Sequence, residues 1–298
     1  MATQRSRRAV LGAVGASLAT GGCLGMVAQT GDSGTSPVSA LVAGSLKGTF
    51  ERLNEGLDRR LRVEAHGSVT AARLVASGNR DPDLLALADT DLYDAIVDAD
   101  WYARFATNAL VVAYDATSDG GRRVRAGQRW FDPFVAGEVR LGRTDPDLDP
   151  LGYRTLFALE LAARRHDRPG LCEAVLGPDQ IYPETGLLSR FETGDVDAAV
   201  VYRSMAVERD YDYRELHPAV DLSDPDRDEE YRTASHTLAD GRTVRGEHVA
   251  YGVQARSADA ATRAAFDTLV AGDLLRERGF EVPERFPVSE GDVPRGYA

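Results

Sequence analysis

A chain of 298 residues, 43% of them hydrophobic, is long enough for one large domain or two lobes with a core each, and too apolar for a disordered polymer. Its net charge is -12, with Lys47 as the single lysine against 47 acidic residues; no basic patch exists to neutralise phosphates, which excludes nucleic acid as a partner. Abundant carboxylate with arginine in place of lysine suits a protein kept soluble in concentrated salt, where screening acts over a few ångströms and self-repulsion costs little; it predicts a halophilic archaeal source.

Residues 1–22 read as an export signal. Arg5, Arg7 and Arg8 precede a small-residue apolar stretch, Ala9 to Ala19, that is short for a membrane span. Ser6-Arg7-Arg8-Ala9-Val10-Leu11 resembles a twin-arginine signal, a receptor-read address for export of a folded protein. Thr20-Gly21-Gly22-Cys23 resembles a lipobox, which makes Cys23 the lipid-attachment residue; a free cysteine in a plain signal peptide is the alternative. Residues 23–36 then form a flexible tether rich in Gly, Ser and Thr. With Cys23 lipidated, Cys172 has no partner and is expected as a small core residue.

Val38 to Ala43 is an apolar run ending in Gly44-Ser45, and a helical spacing follows at Leu46, Phe50, Leu53 and Leu57. Leu61 to Ala65 alternates like a strand, ends in Gly67-Ser68, and opens a second helical pattern at Val69. Asp83 to Ala88 is a buried-strand pattern, and Asp91 to Val97 is helical. Alternation of strand and helix predicts an α/β fold with a largely parallel sheet. In such sheets ligands lie beyond the C-terminal strand ends, where both Gly-Ser pairs fall. Ser45 and Ser68 can cap their helices or donate O–H bonds to a ligand.

Further along, Ala109 to Tyr114 and His248 to Val253 read as two strands crossing between lobes, which predicts a two-stranded hinge and a central cleft. Val139 to Gly142 is a short strand. Helices are expected from Tyr153 to Arg165, from Glu184 to Phe191, and, as one amphipathic terminal helix, from Ala260 to Arg278. Asp197 to Tyr202 is a buried strand, and Asp221 to Arg232 a charged surface segment.

Between the short strand and the Tyr153 helix lies Asp145-Pro-Asp-Leu-Asp-Pro-Leu-Gly-Tyr-Arg154. A helix opening presents free N–H groups and favours an anion, yet Asp149 places a carboxylate there. Either Asp149 is an ordinary cap, or the ligand is an anion whose central atom accepts a carboxylate oxygen. Catalytic signatures are missing: the sequence has no phosphate-binding GxxxxGK[ST], no GxSxG elbow, and five scattered histidines without ligand spacing. His66 alone falls beside a candidate site residue and reads as structural. Ser45, Ser68, Asp149, Glu184 and Tyr202 all fall at element ends.

These residues sit in words that resemble the archaeal tungstate/molybdate substrate-binding proteins of ABC importers, the Wtp/Mod type. Ala43-Gly-Ser-Leu46, Ala65-His-Gly-Ser-Val69, Ala99-Asp-Trp-Tyr102, Asp145 to Arg154, Phe191-Glu-Thr-Gly-Asp-Val-Asp197, Val201-Tyr-Arg-Ser204, Leu238-Ala-Asp-Gly241 and Tyr251-Gly-Val253 follow the family's order across nearly the whole chain after the signal. The resemblance implies a two-lobed α/β protein of the type II periplasmic-binding fold. Residues 37–108 and 252–298 would form lobe I, and residues 109–251 lobe II. It implies Ser45, Ser68, Tyr202 and the Leu151 backbone N–H as donors to the oxyanion, with Asp149 and Glu184 as oxygen ligands to its metal atom. Glu184 departs most from the family pattern, since Thr185-Gly186 replaces Val-Asp after it. The implied protein is a lipid-anchored monomer on the outer face of the cell membrane. It delivers tungstate or molybdate to an ABC permease, with no cofactor and no catalysis; a sulfate or phosphate binder and a secreted enzyme on the same fold are the alternatives.

Overall fold

The computed structural model describes residues 36–297; the expected signal, Cys23 and the tether up to residue 35 lie outside them. Strand β1 (Val38–Ala43) leads through a 3-10 turn (Gly44–Leu46) into α1 (Lys47–Glu55); β2 (Leu61–His66) leads into α2 (Ser68–Ala76); β3 (Leu84–Leu87) and a π-helical turn (Tyr93–Val97) follow. Then come β4 (Trp101–Asn108), β5 (Leu110–Tyr114), α3 (Asp119–Ala126), α4 (Asp132–Val135), β6 (Leu141–Thr144) and α5 (Pro150–Arg165). The chain continues with α6 (Leu171–Val175), β7 (Ile181–Tyr182), α7 (Glu184–Glu192), β8 (Ala198–Tyr202), α8 (Arg203–Glu208) and β9 (Asp212–Glu215). It closes with α9 (Asp228–Tyr231), β10 (Ser235–Thr237), β11 (Thr243–Arg245), β12 (Val249–Ala255), α10 (Ala260–Val270), α11 (Asp273–Glu277) and β13 (Val288–Gly291).

Two mixed sheets organise these elements, in the orders β13-β4-β12-β3-β1-β2 and β7-β6-β8-β5-β9, with β10 and β11 as a separate hairpin. The first sheet keeps β1, β2 and β3 parallel, whereas β12 runs antiparallel to β3 and β4, and β13 antiparallel to β4. In the second, β6 is parallel to β7 and β8, and β5 is antiparallel to β8 and β9. The largely parallel sheet expected from the sequence is therefore corrected to two mixed sheets. Apolar runs such as β1 and β3, covered on both faces, look alike whichever way a neighbour runs.

The two expected crossing strands do not cross. Asn108 pairs with Val249 in the first sheet, while Leu110 pairs with Tyr202 in the second, so the chain changes sheets across Ala109 alone. All of β12 belongs to the first sheet; Val249 to Tyr251, expected in the second lobe, pair with Asn108 to Ala106. The Asp221-Leu222 segment spans the gap: Leu110 N–H donates to the Asp221 carbonyl and Val249 N–H to the Leu222 carbonyl, each at 2.8 Å. β4 was not legible as a strand, although it is the longest strand of the first sheet and pairs with β12 and β13. The expected terminal helix is two helices, divided where Gly272 takes φ of 84°, a conformation open to glycine and strained for other residues.

Parallel β1, β2 and β3 bring Gly44, Gly67 and Ala88 to one edge of the first sheet, because each follows a strand's C-terminal end. Parallel β6 and β8 do the same for the Asp145 loop and Tyr202 in the second sheet. Residues from five strand ends, four of them carrying candidates, thus meet where the sheets approach.

Candidate functional site

Three buried hydroxyls are held from behind. Ser45 lies in the 3-10 turn after β1, and its Oγ accepts a hydrogen bond from the Tyr251 hydroxyl at 3.3 Å; Asn108 Nδ2 in turn donates to that phenol at 3.4 Å. Ser68 opens α2, and its Oγ accepts the Ala88 N–H at 3.0 Å. Tyr202 ends β8, and its hydroxyl accepts from Arg154 Nη1 at 2.8 Å. A hydroxyl has one hydrogen to give and lone pairs to receive. With a lone pair of each already engaged, each of the three keeps its own hydrogen for donation.

Two carboxylates are buried beside them. Asp149 caps α5: its Oδ1 accepts the Leu151 N–H at 3.3 Å, while its Oδ2 is buried without a hydrogen-bond partner. Burial pushes the Asp149 carboxyl up to about 6. Glu184, the first residue of α7, reaches across to the other sheet, where Oε2 accepts the Gly44 N–H at 2.8 Å and Oε1 the Ser45 N–H at 3.0 Å. Burial first, and then the nearby charge of Asp149, hold the Glu184 carboxyl well above the usual range. Asp149 and Glu184 are 2% and 4% exposed, which removes most solvent screening between them. The Leu151 N–H, expected to face a ligand, is directed at the Asp149 carboxylate, so Asp149 is a helix cap through Oδ1 while Oδ2 is left over.

These groups close into a ring. Glu184 touches Ser45, Ser45 touches Tyr251, and the Tyr251 and Tyr202 rings lie 5.9 Å apart edge to face. Tyr202 touches Arg154, which donates to the Ala88 carbonyl; Ala88 N–H reaches Ser68. A Cβ built on Gly67, the residue before Ser68, would lie 3.0 Å from Asp149 Cβ and 2.5 Å from the Leu148 carbonyl oxygen. Thr70 N–H donates to that same carbonyl at 3.3 Å. The ring passes four times between the sheets, so the five side chains expected from the sequence share one place.

Arg154, Tyr251 and Asn108 were not anticipated as site residues. For Arg154 a signal existed: it falls on the stripe Leu151, Arg154, Ala158, Leu161, whose other members form the buried face of α5. An arginine on an apolar face needs an acceptor; this one meets the Ala88 carbonyl, the Tyr202 oxygen and, at 3.5 Å, Asp89 Oδ2. The Tyr153 hydroxyl donates to the same carboxylate. Asp145 and Asp147, by contrast, shape their loop: Asp145 Oδ1 accepts the Asp147 N–H, and Asp147 Oδ1 accepts the Ala239 N–H beside the hairpin. His66 pairs with Glu64 at 2.8 Å, away from the ring. Cys172 is half-buried in α6, and burial raises its thiol.

The family model for bacterial extracellular solute-binding proteins matches residues 39–273, most of the chain. The chain belongs to this family. A Haloferax volcanii relative, provisionally named an ABC transporter molybdenum-binding protein, is 52% identical over 297 residues, covering 98% of this chain and 97% of that protein. The molybdate/tungstate-binding protein of Thermococcus kodakarensis is 27% identical over 272 residues, 78% of this chain and 77% of its own. Among solved structures, the periplasmic molybdate-binding protein of Azotobacter vinelandii superposes with a TM-score of 0.56 at 12% identity, covering 83% of this chain and all of that one. That likeness fixes the two-lobed α/β fold for this family member. Among the described residues no helix is long and apolar enough to cross a membrane.

Proposed function

We propose that this solute-binding protein captures tungstate or molybdate between its two sheets and delivers it to an ABC permease, without catalysing a reaction. The observation that carries the reading is the ring itself: three back-bonded hydroxyls, each with a hydrogen to give, around two buried carboxylates that form no ion pair among the described residues. A tetrahedral oxyanion supplies acceptors for Ser45, Ser68 and Tyr202. Its metal atom can widen its coordination from four to six and take an oxygen from Asp149 and one from Glu184, which turns a repulsion into two bonds. Sulfate and phosphate have no such capacity. For them each carboxylate is a like charge; at about 4 Å and an effective dielectric near 20 the cost is about 4 kcal/mol. The carboxylates thus select by penalising the wrong anion.

The relatives' names support the ligand class and the transporter partner. The arginine-rich, lysine-poor acidity supports a halophilic setting, and the residues before Cys23 support a lipid anchor on the outer face of the membrane. Calorimetry of the purified chain in concentrated KCl with sodium tungstate, molybdate and sulfate tests the function. Saturable binding of the first two with sulfate at least a hundredfold weaker is expected; equal affinity for sulfate overturns the reading.

A further inference from the structure

We infer that Arg154 is a positioning residue for oxyanion capture: its guanidinium fills the acceptor side of the Tyr202 hydroxyl and so aims the phenolic hydrogen at the ligand. This rests on the oxyanion reading above. Arg154 sits in the first turns of α5, and its side chain is 5% exposed. Its Nη1 donates both to Tyr202 at 2.8 Å, in the second sheet, and to the Ala88 carbonyl at the end of β3, in the first. A neutral phenol offers one hydrogen, and a donor on its oxygen steers that hydrogen to the opposite side. The positive charge also makes the O–H a stronger donor, as hydrogen bonds with an ionised partner are the stronger kind. Burial holds the Tyr202 phenol well above its ordinary range and Arg154 pulls the other way, so the group stays protonated yet polarised.

Ala88 extends the effect to a second donor. Its carbonyl receives Arg154 and its N–H fixes Ser68 Oγ at 3.0 Å, so one residue couples a donor of each sheet. Asp89 anchors the clamp through Tyr153 and, at 3.5 Å, through Arg154 Nη2. A buried arginine serving stability alone would need acceptors, but not this one, whose other face looks toward the ligand ring.

The test is a double-mutant cycle on the full chain, with Arg154→Met and Arg154→Lys each made alone and with Tyr202→Phe, and molybdate as the titrant. Lysine keeps the charge and guards against a variant that does not fold, while its single ammonium cannot reproduce the fork. In the parent background each change is expected to weaken molybdate roughly tenfold to a hundredfold, and in the Tyr202→Phe background less than about threefold. Equal losses in both backgrounds overturn the inference and leave Arg154 a packing residue. A second arm needs no ligand: with tyrosine labelled at Cζ by carbon-13, the Tyr202 resonance is assigned by its absence from Tyr202→Phe. It should move in both Arg154 variants, and an unmoved resonance overturns the inference. A parent chain that binds neither oxyanion would overturn the proposed function instead, and the resonance would still decide the Arg154–Tyr202 link.

Discussion

Replacing Asp149 by asparagine should make the protein more stable and less able to bind. Asparagine is as good a helix cap as aspartate, so the bond from the Leu151 N–H survives. The oxygen lost is Oδ2, which is buried and unpartnered; the Thr144 hydroxyl, also buried and unpartnered, lies beside it to receive the new amide. Burial raises the folded carboxyl from 3.8 to about 6, a difference of about 3 kcal/mol. The sign follows from proton binding. Below about pH 3 the carboxyl is protonated in both states and costs nothing; between about pH 3 and about 6 the unfolded chain ionises first, and the native state loses stability progressively. D149N escapes that loss. Allowing about 1 kcal/mol for imperfect bonding of the amide leaves a gain of about 2 kcal/mol at pH 7, or about 4–8 °C in Tm. Thermal melts of both proteins without ligand, in concentrated KCl at pH 4 and pH 7, should put D149N at or slightly below the parent at the lower pH and above it at the higher. Calorimetry should show molybdate at least a hundredfold weaker, since one oxygen ligand to the metal is gone. A lower Tm for D149N at pH 7, or a gain independent of pH, would refute the electrostatic reasoning; unchanged molybdate affinity would refute the ligand role.

Gly67→Ala places a methyl 2.5 Å from the Leu148 carbonyl in the loop after β6, on backbone of φ -57° that any residue adopts. It should leave Tm within a few degrees of the parent, yet block the approach of the sheets, so that small-angle scattering shows no compaction with tungstate and affinity falls at least tenfold; normal compaction would show that this contact does not govern closure. Glu184→Gln keeps one acceptor for the Gly44 and Ser45 N–H pair but presents an amide hydrogen to the other. Tungstate should bind at least tenfold more weakly while sulfate binding holds or improves; a parallel loss of both anions would point to a bent backbone instead. Cys23→Ser should move the protein from the membrane fraction to the medium, as blotting of fractionated cells would show; continued membrane retention would remove the lipid anchor.

Local sequence revealed the elements whose boundaries are chemical. β1, β3 and β8 are apolar runs that stop at Gly44, Asp89 and Arg203, β2 is an alternating run that stops at Gly67, and α5 announces itself with Asp149-Pro150. Pairing partners were not legible, because an apolar strand carries no mark of the sheet it joins. Hence β5 and β12 were read as crossing strands, while the sheet change hides in Ala109, a residue with nothing to distinguish it. The site followed the same division. Ser45, Ser68, Asp149, Glu184 and Tyr202 stood out as polar residues where strands meet helices. Arg154, Tyr251 and Asn108 act through contacts 48, 206 and 143 residues away in sequence, beyond any local pattern.

Asn108 ends β4 one residue before the chain changes sheets. Its Oδ1 accepts the Ala109 N–H at 3.0 Å, its Nδ2 donates to Ser204 Oγ at 2.8 Å, and the same nitrogen leads through Tyr251 to Ser45. The point where the chain changes sheets and the backing of Ser45, the proposed donor, are therefore joined by one chain of hydrogen bonds. If capture bends the chain at this joint, substitutions that stiffen or loosen it would change affinity from outside the proposed pocket, while the groups proposed to discriminate among anions stay as they are. A lineage facing scarcer or richer supplies of its cargo could retune the grip at the joint and leave its selectivity untouched.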